Sequence, residues 1–356
     1  MKKQKKLTMS ERVLKWAKMH KKHNSLLTLV VLAIAIVLIV FVVSAQKTES
    51  INATAKAQGD TRFTYFGNIT LNSHMHKTNL NESFAALRNV LKQSDYSTGS
   101  LRIAKFSNDQ KTNINRNIEN IMFLKRLGFT SLNIVNDKID NVQATDLDKK
   151  AESQVGYNYL TGNGSNPINS KTVQQEINGQ KVATVSFTDV ESKYTDSLRN
   201  TTSISLKPHI FMPLIKNLKK NNDYVVVNVD WGIPDERNVT TRQKEYAHAL
   251  SKAGADVIVG HNTVVQPIEQ YNNTSIFYSL GNTTSENFLS KNKESIAVQQ
   301  DWNNKNSTFK ITPVKYEGGT ISTNKMNKIE ERRLMNNLQK ENVKLEKQDG
   351  GYVYED

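Results

Sequence analysis

Five apolar segments of the sequence each end in a polar cluster whose residue types could bind a metal ion or an anionic substrate. These clusters are Gly67-Asn68, Asn136-Asp137, Asp230-Trp231-Gly232, Gly260-His261 and Gly281-Asn282. In open α/β sheets, ligand groups collect at the carboxyl ends of strands. Carboxylate, imidazole and amide groups there could hold two metal ions with a bridging hydroxide as nucleophile. Each cluster taken singly also suits a turn at a strand end, so spacing alone leaves both interpretations open.

Other classes of active site have little support. The 356 residues include no Cys, which removes disulfides, thiolate metal ligands and a Cys nucleophile. Ser279 lacks the Gly-x-Ser-x-Gly elbow of a serine hydrolase, and no Gly-rich phosphate-binding loop is present. The pair His74 and His76 is more typical of a solvent-facing loop than of a metal site. Any ATP-driven step is therefore expected on another subunit.

The segments between the polar clusters alternate between strand and helix patterns. Helical periodicity runs over residues 113–128 and 240–254, and each of these segments ends in Gly. Residues 173–187 predict a hairpin with Asn178-Gly179 at its turn. Strands that alternate with helices predict a layered α/β domain.

The N-terminal 45 residues have the pattern of a membrane anchor. Residues 1–24 carry nine Lys or Arg and one acid, and residues 25–45 form an apolar run without a charge. A run of about twenty residues crosses a bilayer core as a helix. The basic flank predicts a single-pass protein of the cell membrane with a cytoplasmic N-terminus and an extracellular main domain. A signal peptide cleaved after Val43-Ser44-Ala45 is the alternative, although its apolar core would be unusually long.

The rest of the chain divides by composition. Residues 46–61 predict a linker, residues 62–318 the α/β domain, and residues 319–356 a charged C-terminal tail. The net charge is +14, and about +6 remains once the basic leader is set aside. This excess could favour an extracellular polyanion. The leader itself is interpreted as a topology signal that also attracts anionic lipid, so no nucleic-acid partner is expected.

Four sequence blocks resemble the CapA family of poly-γ-glutamate capsule synthesis proteins: NGQKVATVSFTD, DYVVVNVDWG, ADVIVGH and IFYSLGN. The resemblance covers about residues 62–315 and follows the order of the family motifs. It implies a layered αββα sandwich like that of calcineurin-like metallophosphoesterases, preceded by one transmembrane helix. It also implies as partners an ATP-dependent ligase subunit, a multi-span membrane subunit and the poly-γ-glutamate polymer.

The first three family motifs are altered in this sequence. The usual Gly-Asp is Gly67-Asn68 here, and the amide and acid of Gly-Asn-x-Glu are replaced by Ser100 and Arg102. The usual Asn-Asn-His is Asn136-Asp137-Lys138. Two cations, Arg102 and Lys138, are thus expected where the resemblance implies a pair of metal ions.

The last motifs are altered as well. Asp230 replaces the His of His-Trp-Gly, only His261 remains of the three His in Gly-His-His-Pro-His, and Asn282 of YSLGN is kept. Fixed positive charge near divalent ions is unfavourable, so we expect neither a catalytic metal nor a cofactor. A single weak metal site at Asp137, Asp230 and His261 is the alternative.

The resemblance and its departures together predict a non-catalytic subunit that supports polymer synthesis or export. Arg102, Lys138 and Lys105 are predicted to bind polymer carboxylates by charge-assisted hydrogen bonds. Two alternatives stay open. One is a metal-dependent hydrolase that acts on the polymer or on a phosphate ester, and the other is a purely structural membrane anchor of the complex.

Overall fold

A computed structural model describes most of the chain, in two units that comprise residues 1–48 and 49–356. The described residues are 8–12, 15–16, 18, 29–38, 56, 59–71, 79–134, 141–162, 171–189, 206–285, 290–348 and 350–355. In the first unit, residues 29–38 are helical and their apolar side chains are exposed. No helix within the described ranges is long and apolar enough to cross a bilayer. The predicted span over residues 25–45 extends outside those ranges and stays a prediction.

The second unit is built from fifteen described strands and seven α-helices. The strands are β1 (Thr61–Thr70), β2 (Tyr96–Arg102), β3 (Ser131–Asn133), β4 (Leu160–Thr161), β5 (Val173–Ile177), β6 (Gln180–Thr188), β7 (Tyr224–Asp230), β8 (Val257–His261), β9 (Ile268–Tyr271), β10 (Thr274–Phe277), β11 (Glu294–Trp302), β12 (Ser307–Glu317), β13 (Thr320–Ser322), β14 (Glu346–Gln348) and β15 (Gly351–Glu355). The α-helices are α1 (Leu80–Ser83), α2 (Arg88–Lys92), α3 (Gln110–Leu127), α4 (Asn141–Lys150), α5 (Pro208–Asn221), α6 (Thr241–Ala253) and α7 (Lys328–Leu338).

The described strands form two mixed sheets. The first has the order β14-β15-β12-β11-β1-β2-β3-β4, with β13 on β12, and the second has the order β5-β6-β7-β8-β10-β9. Strands β1 to β4 are parallel in the first sheet, as are β6, β7, β8 and β10 in the second. The predicted hairpin is confirmed as β5 and β6, and both turn residues have positive φ (Asn178 52°, Gly179 79°).

Apolar side chains divide the second unit into layers. The core shared by the two sheets includes Phe63 and Tyr65 of β1 together with Val226 of β7. A second core covers the other face of the first sheet and includes residues of α3, and a third lies between the second sheet and helices α5 and α6. The layered α/β sandwich predicted from the sequence is therefore present in the second unit.

The caps of α3 and α6 explain where these helices begin and end. Asp109 caps α3 by accepting from the Thr112 backbone N–H, and Gly128 ends it in the left-handed region. Thr240 and Gln243 form a capping box at the start of α6, and Gly254 ends it. Both helices confirm the sequence pattern.

A β-bulge in β1 decides which way Asn68 faces. The pairing of β1 with β2 shifts by one residue between Tyr65 and Asn68. Tyr65 belongs to the core between the sheets, whereas Phe66 and Ile69 both belong to the outer core of the first sheet. Strict alternation would place residues 66 and 69 on opposite faces, so the extra residue reverses the pattern and turns Asn68 toward the second sheet.

The C-terminal residues 319–356 differ from the charged tail expected from the sequence. They form β13, α7, β14 and β15, and β15 pairs antiparallel with β12. Leu334, Met335 and Leu338 of α7 and Tyr354 of β15 lie in the core between the sheets. The few apolar residues of this segment lie among many charged and polar ones, which hid the buried face in the sequence. The domain therefore continues beyond residue 318.

Gly260 is required where β8 approaches the segment after β10. A Cβ at this position would lie 2.0 Å from the Tyr278 carbonyl oxygen and 2.6 Å from Trp231 Nε1. We expect Gly260→Ala to lower the free energy of unfolding by about 1–3 kcal/mol, because the Tyr278 backbone or the Trp231 indole must move to make room for the added Cβ. Urea unfolding of the full chain measures this change.

Gly156 provides the matched control for that substitution. It has φ 60°, and a Cβ there would meet only the flexible Lys125 Nζ at 3.8 Å. Since Asn tolerates the left-handed region, Gly156→Asn should cost less than about 1 kcal/mol. Equal costs for the two substitutions would contradict the close approach at Gly260.

Candidate functional site

The carboxyl ends of parallel strands from both sheets meet at one place. Thr188, Asp230 and His261 are register partners at the ends of β6, β7 and β8. Asn68 pairs with Ser100 on β2 and forms a bridge with Asn282. Six predicted site residues therefore lie at strand ends: Asn68, Ser100, Arg102, Asp230, His261 and Asn282. The predicted residues Asn136, Asp137 and Lys138 lie outside the described residues.

An ion pair between Arg102 and Asp230 joins the two sheets at these strand ends. Nη1 of Arg102 donates to Asp230 Oδ2 at 2.9 Å, and Nη2 donates to Oδ1 at 2.7 Å. The exposed fractions of the two side chains are 12% and 8%. Because the geometry is bidentate, one guanidinium binds both carboxylate oxygens.

His261 is fully buried beside this pair and stays neutral. Its Nε2 lies 3.0 Å from Asn228 Oδ1, which assigns the proton to Nε2 and leaves Nδ1 as an acceptor. His261 Nδ1 is buried and has no hydrogen-bond partner among the described residues. Burial, and then the charge of Arg102, lower the pKa of His261 to about 3. The ring therefore cannot provide a general acid near neutral pH.

Three Asn side chains tie together the loops around the ion pair. Asn68 Nδ2 donates to the Asn262 carbonyl at 2.9 Å and to Asn282 Oδ1 at 3.0 Å. Asn282 Nδ2 donates to the Thr263 carbonyl at 3.0 Å, and Asn262 Nδ2 donates to the Ile233 carbonyl at 3.0 Å. Asn68 Oδ1 is a second buried acceptor without a partner in the described part of the chain. In this arrangement the amides hold backbone segments together.

Several residues of the site were not singled out from the sequence. Asp189 follows β6, and its backbone N–H donates to the Asp230 carbonyl at 3.1 Å. Burial raises the pKa of Asp189, and the nearby Asp230 charge acts in the same direction. Asn133 Nδ2 donates to Ser100 Oγ at 3.2 Å. The sequence signal for both residues is an acid or amide at the end of a buried strand.

The predicted polymer-binding residues are not gathered by the described structure. Arg102 holds a carboxylate of its own chain, and Lys105 is exposed beyond the end of β2. Lys138 is outside the described ranges. Carboxylate binding by Lys105 and Lys138 stays a prediction, whereas a polymer carboxylate at Arg102 must compete with Asp230.

Comparison with known proteins identifies the family. The family model described as "Bacterial capsule synthesis protein PGA_cap" matches residues 51–287. The chain belongs to this family. It is 29% identical over 373 residues to the PGA biosynthesis protein CapA of Bacillus subtilis (strain 168), and the match covers 99% of this chain and 97% of that protein. It is also 29% identical over 338 residues to the capsule biosynthesis protein CapA of Bacillus anthracis, covering 88% and 82%.

Solved structures show a more distant similarity to this PGA_cap chain. The calcineurin-like phosphoesterase YfkN from Bacillus subtilis matches with a TM-score of 0.42 and 10% identity, covering 74% of this chain and 89% of that chain. The protein TT1561 of Thermus thermophilus matches with a TM-score of 0.41 and 8% identity, covering 68% and 99%.

Among the described residues of this PGA_cap chain, the donors at the strand ends differ from those that the resemblance implies for a pair of metal ions. Both oxygens of Asp230 bind a guanidinium, position 68 is an amide, and position 102 is a cation. Within the described residues, no group of three or more His, Asp and Glu could hold a metal. His261 and Asn68 each offer one neutral buried acceptor. Because Asp137 lies outside the described residues, the weak single-metal set stays a prediction.

Breaking the buried ion pair should be costly. We expect Asp230→Ala to lower the free energy of unfolding by about 3–5 kcal/mol, because it leaves the Arg102 charge buried without this carboxylate. Arg102→Leu combined with Asp230→Leu should restore most of the loss, since two apolar groups need no mutual compensation. Urea unfolding of the parent, single and double variants measures both effects.

The exposed pair Arg116–Glu119 is the control for the ion pair. Its side chains are 51% and 52% exposed, and their N–O distance is 2.9 Å. Glu119→Ala should therefore cost no more than about 1 kcal/mol. If Asp230→Ala cost as little as Glu119→Ala, the ion pair would not be a main contact between the sheets.

The neutral state of His261 should appear in the pH dependence of stability. The unfolded chain protonates this residue near pH 6.5, whereas the folded chain does so only near pH 3. Its contribution is complete above about pH 6.5 and is lost progressively as the pH falls to about 3. Between pH 7 and 5 the parent should lose about 2 kcal/mol that His261→Gln does not lose. Urea unfolding at several pH values tests this, and equal slopes for both proteins would contradict it.

Proposed function

We propose that the chain is a membrane-anchored, extracytoplasmic subunit of a poly-γ-glutamate capsule synthesis or export complex, and that it has no catalytic activity of its own. The proposed lack of catalytic activity rests on the bidentate Arg102–Asp230 ion pair at the strand ends. A guanidinium there supplies internally the positive charge that a metal centre would otherwise provide. A divalent ion a few ångströms from it would be repelled strongly in this buried setting.

The capsule role is supported by the family and by the relatives. The match with the Bacillus subtilis PGA biosynthesis protein CapA extends over nearly the whole of both chains. A subunit of this kind needs other proteins for the energy-requiring step, because the sequence contains no nucleotide-binding loop. We therefore propose an ATP-dependent ligase subunit and a multi-span membrane subunit as partners.

Membrane anchoring is supported by the apolar run and its basic flank. The side chains of residues 29–38 are exposed, including Leu32, Ile34 and Val37, each of which is more than half exposed. Such a surface is unfavourable in water and suits a lipid environment. Nine cations before the run would keep the N-terminus in the cytoplasm. The second unit then lies outside the cell, where the polymer accumulates.

A hydrolase with one weakly held metal is the second candidate. His261 Nδ1 and Asn68 Oδ1 favour it, because both are buried acceptors without a partner in the described residues. Asp230 would have to release Arg102 before it could become the carboxylate ligand. That exchange gives up two charge-assisted hydrogen bonds, which makes this candidate the weaker one.

One double variant separates the two candidates. Arg102→Leu with Asp230→Leu removes the site's main carboxylate and is expected to keep the fold. If the chain is non-catalytic, this variant should restore capsule to cells that lack the protein about as well as the parent does. Capsule per cell is measured by immunoassay, and correct membrane insertion of the variant is checked by fractionation.

The metal content completes the test. The full chain, purified in detergent without chelators, should contain far less than one transition metal ion per molecule by elemental analysis. Loss of capsule with the double variant, together with a tightly held metal in the parent, would overturn the non-catalytic assignment in favour of a hydrolase. Capsule loss without metal would instead make the strand-end site essential for binding a partner or polymer, and would also overturn the present proposal for this site.

A further inference from the structure

A cationic cleft lies apart from the strand-end site, between helix α7 and the segment that joins β7 to α6. Its volume is about 630 Å³. Five basic side chains line it: Arg237, Lys328, Arg332, Arg333 and Lys340. The other lining residues are Ile329, Asn336 and Asn337. No acidic side chain belongs to this described lining, so the cleft has the electrostatic character of an anion site.

The cleft is built on a buried carboxylate. Glu294 at the start of β11 is fully buried, and it binds Arg237 at 2.8 Å and also Arg333. One negative charge thus holds two guanidinium groups in place. Lys340 Nζ is held by the neutral Asn238 Oδ1 at 3.0 Å. Of the five basic side chains of the cleft, two thus share one carboxylate, that of Glu294. These contacts leave the cleft with an excess of positive charge.

The acidic residues of α7 do not line the cleft and bind basic side chains outside it. Glu330 binds Lys315 Nζ at 3.1 Å, and Glu331 binds Lys347 Nζ at 3.0 Å. Lys328 and Arg332, four residues apart on the helix, are exposed and have no ion-pair partner among the described residues. A solvated helix face with randomly placed charges would carry acidic and basic side chains together, whereas α7 separates its acidic side chains from the basic ones that line the cleft.

Two residues that line the cleft each have a buried polar atom without a partner in the described residues. Arg237 Nη1 is a buried donor without a partner in the described residues. Asn337 is 4% exposed, its Nδ2 donates to the Val265 carbonyl at 3.0 Å, and its Oδ1 is a buried acceptor without a partner in the same part of the chain. Both atoms are closed to solvent, so an anion in the cleft can reach the exposed Lys328, Arg332 and Lys340 but not these two atoms.

We propose that this cleft binds a polycarboxylate chain. The exposed basic side chains recognise its carboxylates by charge-assisted hydrogen bonds. The choice of poly-γ-glutamate as the natural ligand rests on the proposed function, whereas the site rests on the cleft itself.

The test uses the full chain in detergent micelles with fluorescently labelled poly-γ-glutamate at low ionic strength. Lys328→Glu with Arg332→Glu reverses two exposed charges that make no ion pair in the described structure. We expect this variant to bind the polymer at least about tenfold more weakly than the parent, because each lost contact is charge-assisted. Fluorescence anisotropy measures the affinity, and the urea unfolding midpoint verifies that the fold is kept.

Helix α5 offers a matched control. Lys216 and Lys220 are exposed and also four residues apart on a helix. Lys216→Glu with Lys220→Glu changes the net charge by the same amount, so its affinity should stay within about twofold of the parent at moderate salt.

The outcomes separate this proposal from its rivals. It is overturned if the parent does not bind the polymer or if the two double variants lose affinity equally. It is also overturned if the cleft variant loses only its binding to phosphatidylglycerol vesicles, which would assign the cleft to the membrane. None of these results affects the capsule and metal measurements that test the proposed function.

Discussion

The buried Arg102–Asp230 ion pair is the contact on which the strand-end site depends. It joins β2 of the first sheet to β7 of the second, where the carboxyl ends of parallel strands converge. Removing two charges from water is unfavourable, so such a pair is tolerated only when its geometry is good. Its bidentate form meets that requirement. At this place the two sheets are joined through a cation that belongs to the protein itself.

The groups around the ion pair follow from its charge. His261 is held neutral by burial and by the nearby guanidinium, and three Asn amides bind backbone carbonyls and one another. Neutral donors and acceptors can connect loops in a buried place without further ionic compensation. At this end of the sandwich the described side chains bind one another and the backbone, which supports the proposal of a non-catalytic subunit in capsule synthesis.

The C-terminal segment contributes one wall of the cationic cleft that is proposed to bind polymer. Leu334, Met335 and Leu338 bury one side of α7, and its basic residues face the cleft on the other. Glu294 links this helix to the loop after β7, because it binds both Arg333 and Arg237. The same helix thus completes the core and presents cations to the cleft.

The sequence by itself determined the local elements and the change of chemistry at the strand ends. Turn and cap residues such as Asn178-Gly179 and Thr240 act on their neighbours, so their effects are readable without the fold. The replacement of expected ligands by Asn68, Arg102 and Asp230 was likewise visible as residue types. Only the tertiary structure paired Arg102 with Asp230, because the partners are 128 residues apart in the chain. It also decided which way Asn68 faces, since one bulge residue reverses the alternation of β1. The burial of α7 was decided there too, because its sparse apolar positions become a core face only when β12 and β15 pair beside them.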